Sequence, residues 1–229
     1  MEPNPWDART IAKRIDHTVL APRATDDDLA RGCDLALQFG TAAIIVKPHY
    51  VADAAKRLAG TDVKVGTVVG FPHGLCLPRI KAEETQAAID TGAAEIDMVV
   101  NIGKVLSDDW LFVAEDISAV ADIVLRRGLV IKVIFENCYL QDVHKVKLCR
   151  ICEEAGVQFA KTSTGYGTGG ATPSDVALMV RNLKSAKVKA AGGIRRFADA
   201  IQMLELGAAR IGTSATKEIV TEAQGVLKI

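Results

Sequence analysis

The chain has 229 residues, of which 49% are hydrophobic and 5% aromatic, and its 28 basic residues balance its 28 acidic ones. This length suits one large domain, and the aliphatic composition suits the packed interior of a barrel. The balanced charge argues against nucleic-acid binding, and no apolar run approaches the roughly 20 residues of a membrane span. We expect a cytoplasmic protein, because residues 1–16 lack the apolar stretch of a secretory signal.

Eight short apolar runs alternate along the chain with longer segments of helical spacing, and several are continuous, as is typical of parallel strands buried on both faces. The predicted strands are Arg14–Thr18, Ala42–Val46, Val63–Val69, Glu95–Val100, Val130–Phe135, Gln158–Thr162, Val188–Ala191 and Arg210–Thr213. Alternating strands and helices form right-handed β-α-β units, and eight such units predict a closed (β/α)8 TIM barrel of the α/β class.

We expect a single barrel domain over residues 1–229. Residues 1–13 are predicted to form an N-terminal helix, and residues 218–229 are expected to form a C-terminal tail that either covers the site or packs outside the barrel. Between these two terminal segments, capping residues mark the ends of predicted helices. Thr25 precedes three acidic residues, Gly40 follows the same helix, and Thr172 stands before a proline.

The five cysteines and four histidines show no strong metal-binding pattern. Cys149 and Cys152 form a single CxxC, which we interpret as two thiols packed on one helix face, with a redox or metal role as the alternative. No histidine pair has HxxxH spacing, which favours a site without metal. His144 is predicted on a solvated helix face, and His17 is either near the site or structural.

Charged residues within the apolar strands are the first candidates for a site, because active sites of such barrels lie at the carboxyl ends of the strands. A buried charge is costly unless it is paired or used in catalysis. The charged residues that we single out are Asp16, Asp97, Lys132, Lys161, Lys187 and Lys189.

Lys161 is the strongest candidate nucleophile. Loss of solvation at a buried strand end disfavours its ammonium form, and Lys189 on the next strand would lower its pKa further. The resulting free amine could form a Schiff base with a carbonyl group. Asp97 could transfer protons, with Asp16 or Lys132 in support. The alternative is a purely structural network of lysines and aspartates, which periodicity alone does not exclude.

Glycine-rich loops after the last two strands predict a phosphate site, because backbone N–H groups in such loops approach an anion closely. The candidate residues are Gly192, Gly193, Arg195, Gly212 and Ser214. The alternative is that these glycines serve only as turns. Residues 165–170 look like a dinucleotide fingerprint but lack its first-strand context, so we interpret them as a mobile loop over the site.

Several motifs resemble those of the deoxyribose-phosphate aldolase family. KTSTG at 161–165 is similar to its Schiff-base motif, KAAGGIR at 189–195 to its second-lysine motif, and EIDMV at 95–99 to its aspartate strand. The further similar segments are 15–18, 70–74 and 132–136. The resemblance spans Ile15 to Lys217, almost the whole chain.

The resemblance implies a class I aldolase of deoxyribonucleotide catabolism that reversibly cleaves 2-deoxy-D-ribose 5-phosphate to D-glyceraldehyde 3-phosphate and acetaldehyde, without a metal or organic cofactor. It implies that Lys161 forms the imine while Asp97 and Lys189 move protons. The implied supporting residues are Asp16, Thr18 and Lys132. The implied phosphate-binding residues are Gly165, Gly192, Gly193, Arg195, Gly212 and Ser214. The partners would be small sugar phosphates and aldehydes, with no nucleic acid or membrane, in a homodimer or homotetramer.

The sequence also departs from the family pattern. Ile45 stands where many members carry cysteine, and Lys47 where they carry asparagine or an aromatic residue. Tyr166 stands where some members carry a lysine that helps to hold the phosphate, which leaves more of that task to the glycine loops. Two rival interpretations are a Schiff-base aldolase for keto-sugar phosphates and a binding barrel without activity.

Overall fold

Eight parallel strands close into a barrel in the computed structural model, which describes residues 6–226. The strands are β1 (Ile15–Val19), β2 (Ala43–Val46), β3 (Lys64–Val69), β4 (Glu95–Val99), β5 (Val130–Ile134), β6 (Phe159–Lys161), β7 (Lys187–Ala191) and β8 (Ala208–Thr213). Each strand pairs with the next, and β8 pairs with β1. The predicted TIM barrel is therefore confirmed, and each strand lies where the sequence predicted it, with small differences at the ends.

Helices alternate with the strands around the outside. They are α1 (Ala8–Ala12), α2 (Asp26–Phe39), α3 (Val51–Arg57), α4 (Pro78–Asp90), α5 (Ile102–Leu106), α6 (Trp110–Arg126), α7 (Asp142–Glu154), α8 (Pro173–Asn182), α9 (Phe197–Glu205) and α10 (Thr216–Val226). The predicted caps are confirmed: Thr25 caps α2, Gly40 ends it in the left-handed conformation, and Thr172 caps α8. Within residues 6–226, no helix has the length and apolar character needed to cross a bilayer.

The two ends of the described chain pack against each other. In the region where an N-terminal helix was expected, α1 covers Ala8–Ala12, and residues 1–5 lie outside the described range. Residues 218–226, which were expected to form a tail, belong to α10. This helix begins at Thr216 and packs against α1, α2 and α9. This part of the chain therefore lies on the outer helical layer, and residues 227–229 lie outside the described range.

The main apolar core lies between the strands and the helices. Cys149 and Cys152 are buried in this core, and burial raises the pKa of the Cys149 thiol to about 12. The two thiols therefore pack as small apolar groups, as interpreted. The prediction for His144 is wrong, because its ring is buried and lies 6.1 Å from the ring of Trp110 at the start of α6.

A buried ion pair joins two of the outer helices. Lys81 of α4 and Asp116 of α6 have fully buried side chains, and Nζ lies 2.6 Å from Oδ2. Lys81 Nζ also donates a hydrogen bond to the carbonyl oxygen of Val99, which ends β4. The pair thus ties both helices to the strand that carries Asp97.

Replacing Asp116 with alanine should destabilise the fold, because the ammonium group of Lys81 would stay buried without its partner. The expected loss in the free energy of unfolding is about 3–5 kcal/mol, measured by urea denaturation. Asp122→Ala, at an exposed position of the same helix, is the control and should cost less than about 0.5 kcal/mol. Equal losses in the two variants would contradict a structural role for the pair.

Candidate active site

The carboxyl ends of β1, β6, β7 and β8 border a cavity of about 720 Å³. This is the end of a TIM barrel at which active sites occur. Lys161, the last residue of β6, borders the cavity, and so does Thr18 of β1. The side chain of Lys161 is only 2% exposed, so its amine meets the cavity from an otherwise buried position.

Asp97 binds three lysines at once. Its Oδ2 accepts hydrogen bonds from Nζ of Lys161 and from Nζ of Lys189, both at 2.8 Å. Its Oδ1 accepts a hydrogen bond from Nζ of Lys132, also at 2.8 Å. The strand register supports these contacts, since Asp97 is paired with Lys132 and Lys161 with Lys189. The three catalytic candidates are therefore in direct contact.

Two more carboxylates and a guanidinium group extend this arrangement. Asp16 Oδ2 lies 2.6 Å from Lys189 Nζ, and Asp16 Oδ1 accepts a hydrogen bond from Arg210. Glu95 accepts a hydrogen bond from Lys132 at 2.5 Å and lies 3.4 Å from Arg210. We call these seven residues the ion cluster: Asp16, Glu95, Asp97, Lys132, Lys161, Lys189 and Arg210.

The cluster contains four basic groups and three carboxylates, so full ionisation would leave an excess positive charge. Burial lowers the pKa of Lys161 to about 8; Asp97 opposes this shift, while Lys189 and Lys132 add to it. Loss of a proton from Lys161 would balance the charges of the cluster. A fraction of Lys161 is therefore present as the neutral, nucleophilic amine near neutral pH, next to the cavity.

The carboxylates of Asp97 and Asp16 stay ionised. Burial alone raises the pKa of Asp97, but the ammonium groups of Lys132, Lys161 and Lys189 outweigh it and hold the pKa well below its usual value. The pKa of Asp16 is lowered in the same way, against burial, by Lys189, Lys132 and Arg210. Asp97 is therefore an anion that orients the amines and can hold a proton only briefly.

The predicted phosphate-binding residues all border the cavity. They are Gly165, Gly192, Gly193, Arg195, Gly212 and Ser214. Gly192 has a φ of 87°, and a Cβ there would lie 2.9 Å from Cα of Gly170, so only glycine lets these two loops meet. Gly212 has a second role that the sequence did not indicate, because a Cβ there would lie 3.1 Å from Cε of Lys189.

The loop after β6 is fixed on two sides. Glu136, buried and in the left-handed conformation with a φ of 59°, accepts hydrogen bonds from the backbone N–H and the hydroxyl of Thr164. The Tyr166 hydroxyl donates to the carbonyl oxygen of Leu20 at 2.8 Å, and its ring packs edge-on against Phe71. The loop predicted over the site therefore borders the cavity, held at both Thr164 and Tyr166.

Sequence reasoning missed two members of the ion cluster and included one residue that lies elsewhere. Glu95 and Arg210 were not selected, although each is a charge within a predicted strand, the signal that selected Asp97. Both lie toward the beginnings of their strands. Lys187 is exposed at the start of β7 and takes no part in the cluster.

His17 is both near the cavity and structurally engaged. It borders the cavity, while its Nδ1 lies 3.0 Å from the hydroxyl of Thr216, and burial lowers its pKa to about 4.

Among residues 6–226, no group of three or more His, Cys, Asp or Glu side chains is arranged to hold a metal ion. A metal-free reaction remains a prediction.

Comparison with known proteins identifies the family. The model of the DeoC/LacD family aldolases matches residues 10–225, nearly the whole chain. The chain belongs to this family. Its members are aldolases, and the position of Lys161 beside the cavity agrees with the chemistry of that class.

Individual relatives cover most of the chain. A deoxyribose-phosphate aldolase from Rhodopirellula baltica is 47% identical over 215 residues, which are 93% of this chain and 89% of the relative. A deoxyribose-phosphate aldolase from a Geobacillus species is 48% identical over 92% of this chain and 94% of its own length. A tetrameric deoxyribose phosphate aldolase from Aeropyrum pernix has a similar structure, with a TM-score of 0.89, 31% identity, and coverage of 96% of this chain and 93% of that one.

The reactivity of Lys161 should follow the pKa of its amine. Labelling by acetaldehyde and cyanoborohydride, measured by peptide mass spectrometry over a pH series, should be low in acid and rise through a midpoint near pH 8, because only the neutral amine attacks a carbonyl.

Lys189→Met should move this midpoint to higher pH, since it removes a cation that lowers the pKa of Lys161. Lys187→Met, at an exposed position of the same strand, is the control and should leave the midpoint unchanged. A wild-type midpoint near the ordinary lysine value of about 10.4 would rule out a perturbed amine.

Proposed function

We propose that this chain is a class I aldolase that reversibly cleaves 2-deoxy-D-ribose 5-phosphate to D-glyceraldehyde 3-phosphate and acetaldehyde, in the breakdown of deoxyribonucleotides. The observation that carries the proposal is the Lys161 amine, which borders the cavity and shares one oxygen of Asp97 with Lys189. Membership of the aldolase family supports the reaction type, and relatives named deoxyribose-phosphate aldolase support the substrate.

The reaction begins with the neutral amine of Lys161, which attacks the aldehyde carbon C1 of the open-chain sugar. The resulting carbinolamine loses its hydroxyl group as water and becomes an iminium ion. Lys189 supplies the proton for the departing hydroxyl group through a water molecule. Since Lys161 and Lys189 both donate to Oδ2 of Asp97, this oxygen provides a path along which a proton can return to Lys189.

The iminium ion then draws the electrons of the C2–C3 bond toward nitrogen. A proton leaves the C3 hydroxyl group, the bond breaks, and D-glyceraldehyde 3-phosphate departs while an enamine stays on Lys161. Protonation of C2 by the Asp97–Lys189 pair and water, followed by hydrolysis, releases acetaldehyde and the free amine. Asp16 and Lys132 support this step by fixing the positions of Lys189 and Asp97.

The phosphate group of the substrate binds at the glycine-rich loops around the cavity. Backbone N–H groups of these loops approach an anion closely, Arg195 adds a charge-assisted contact, and Ser214 adds a hydroxyl donor. Thr18 also borders the cavity, as a supporting residue. The shared location of all these residues on one cavity supports this assignment.

We also propose that the enzyme is cytoplasmic, that residues 1–229 form one barrel domain, and that the chain assembles as a homodimer or homotetramer. The five free cysteines are consistent with a reducing compartment. The tetrameric relative from Aeropyrum pernix supports the homo-oligomer. The substrates are small sugar phosphates and aldehydes.

Borohydride reduction during turnover of 2-deoxy-D-ribose 5-phosphate should trap an adduct on Lys161, because the iminium ion is the species that borohydride reduces. Peptide mass mapping then identifies the residue that carries the adduct. Lys161→Ala should abolish both the adduct and the cleavage activity, whereas Lys64→Ala, an exposed lysine at the start of β3, should retain both. Turnover of fructose phosphates without turnover of deoxyribose 5-phosphate would instead assign a keto-sugar substrate.

Arg195→Ala should weaken binding of the phosphorylated substrate, since it removes a cation that borders the cavity. The loss of one charge-assisted contact predicts a rise of about tenfold or more in KM for deoxyribose 5-phosphate. The kinetics with unphosphorylated deoxyribose should change little. Arg181→Ala, an exposed residue of α8, is the matched control. An equal effect of Arg195→Ala on both sugars would place the phosphate elsewhere.

A further inference from the structure

A second cavity, of about 500 Å³, lies at the opposite end of the barrel, where the strands begin. Five of its eight lining residues are basic, and they are Arg9, Lys13, Arg14, Lys187 and Arg210. No acidic residue borders it among those that the structure describes. The whole chain has equal numbers of basic and acidic residues, so this concentration of one sign is local.

Four of these five basic side chains have no carboxylate of the described chain within ion-pair distance: Arg9, Lys13, Arg14 and Lys187. All four residues are exposed. Arg14 makes one long hydrogen bond, of 3.5 Å, to the carbonyl oxygen of Ala209. Their charges therefore repel one another across the cavity, and a bound anion would relieve this repulsion.

Arg210 forms the inner part of this cavity. Its guanidinium group binds Asp16 and Glu95 of the ion cluster, yet the residue also borders the cavity. Its Cζ lies 5.6 Å from the ring centroid of Phe159, which also lines the cavity. A guanidinium group has five N–H donors, so two carboxylate contacts leave donors for a further acceptor.

We infer that this cavity binds a small anion that carries two or more linked phosphate groups. Arginine donors match the geometry of phosphate oxygens, and lysines add charge without a fixed direction. Five cations around one cavity, four of them without a carboxylate partner, favour an anion with several charges over a monophosphate. This site is separate from the substrate cavity at the other end of the barrel, and it does not rest on the proposed aldolase function.

Calorimetric titration of the full-length protein with inorganic pyrophosphate, at constant ionic strength, tests the inference. The wild-type protein should bind pyrophosphate at this cavity, and inorganic phosphate should bind there more weakly. Lys13→Ala/Lys187→Ala removes two cations of the cavity and should weaken this binding about tenfold or more. Lys56→Ala/Lys147→Ala, which removes two exposed lysines from α3 and α7, is the matched control and should bind as the wild type does.

Three results would overturn the inference. One is the same weakening in both double variants, which would reflect general charge. Another is unchanged binding in Lys13→Ala/Lys187→Ala, which would place the anion in the substrate cavity. The third is the absence of pyrophosphate binding to the wild-type protein. Circular dichroism confirms that each variant is folded, so these results can be interpreted whether or not the protein cleaves deoxyribose 5-phosphate.

Discussion

The barrel interior depends on the ion pairs between the carboxylate of Asp97 and three lysines. Three ammonium groups, from β5, β6 and β7, donate to its two oxygens, so one side chain of β4 connects four consecutive strands. TIM barrels usually fill this space with layers of aliphatic side chains. A buried ion is stable only with its partners, so the members of the cluster depend on one another.

The number of nearby carboxylates explains why the pKa values of Lys132 and Lys161 shift in opposite directions. Lys132 lies within 3.5 Å of three carboxylates, those of Asp16, Glu95 and Asp97, and although burial lowers its pKa, these anions raise it above the usual value. Lys161 has only Asp97, which it shares, and its pKa falls. The same cluster that stabilises the interior therefore also produces its reactive amine.

The sequence alone predicted the features that depend on local periodicity. It did not predict the contacts between side chains that are distant along the chain. Alternating apolar runs located all eight strands, and charges inside or at the ends of these runs located Asp97 and Lys161. The partnership of Glu95 with Arg210 joins residues 115 positions apart, which only the closed barrel brings together. The ring of His144 likewise lies beside that of Trp110 in a different helix, a contact that helical periodicity does not reveal.

Arg210 connects the chemistry at one end of the barrel with the basic cavity at the other. Its guanidinium group, which contacts Asp16, is the fourth basic group of a cluster that has only three carboxylates. That excess is balanced at the carboxyl end when Lys161 loses its proton. At the amino-terminal end, the described lining of the cavity contains no carboxylate. A bound anion would therefore balance the charge of its basic residues. Arg210 thus belongs both to the cluster that lowers the pKa of Lys161 and to the basic cavity suited to a polyanion.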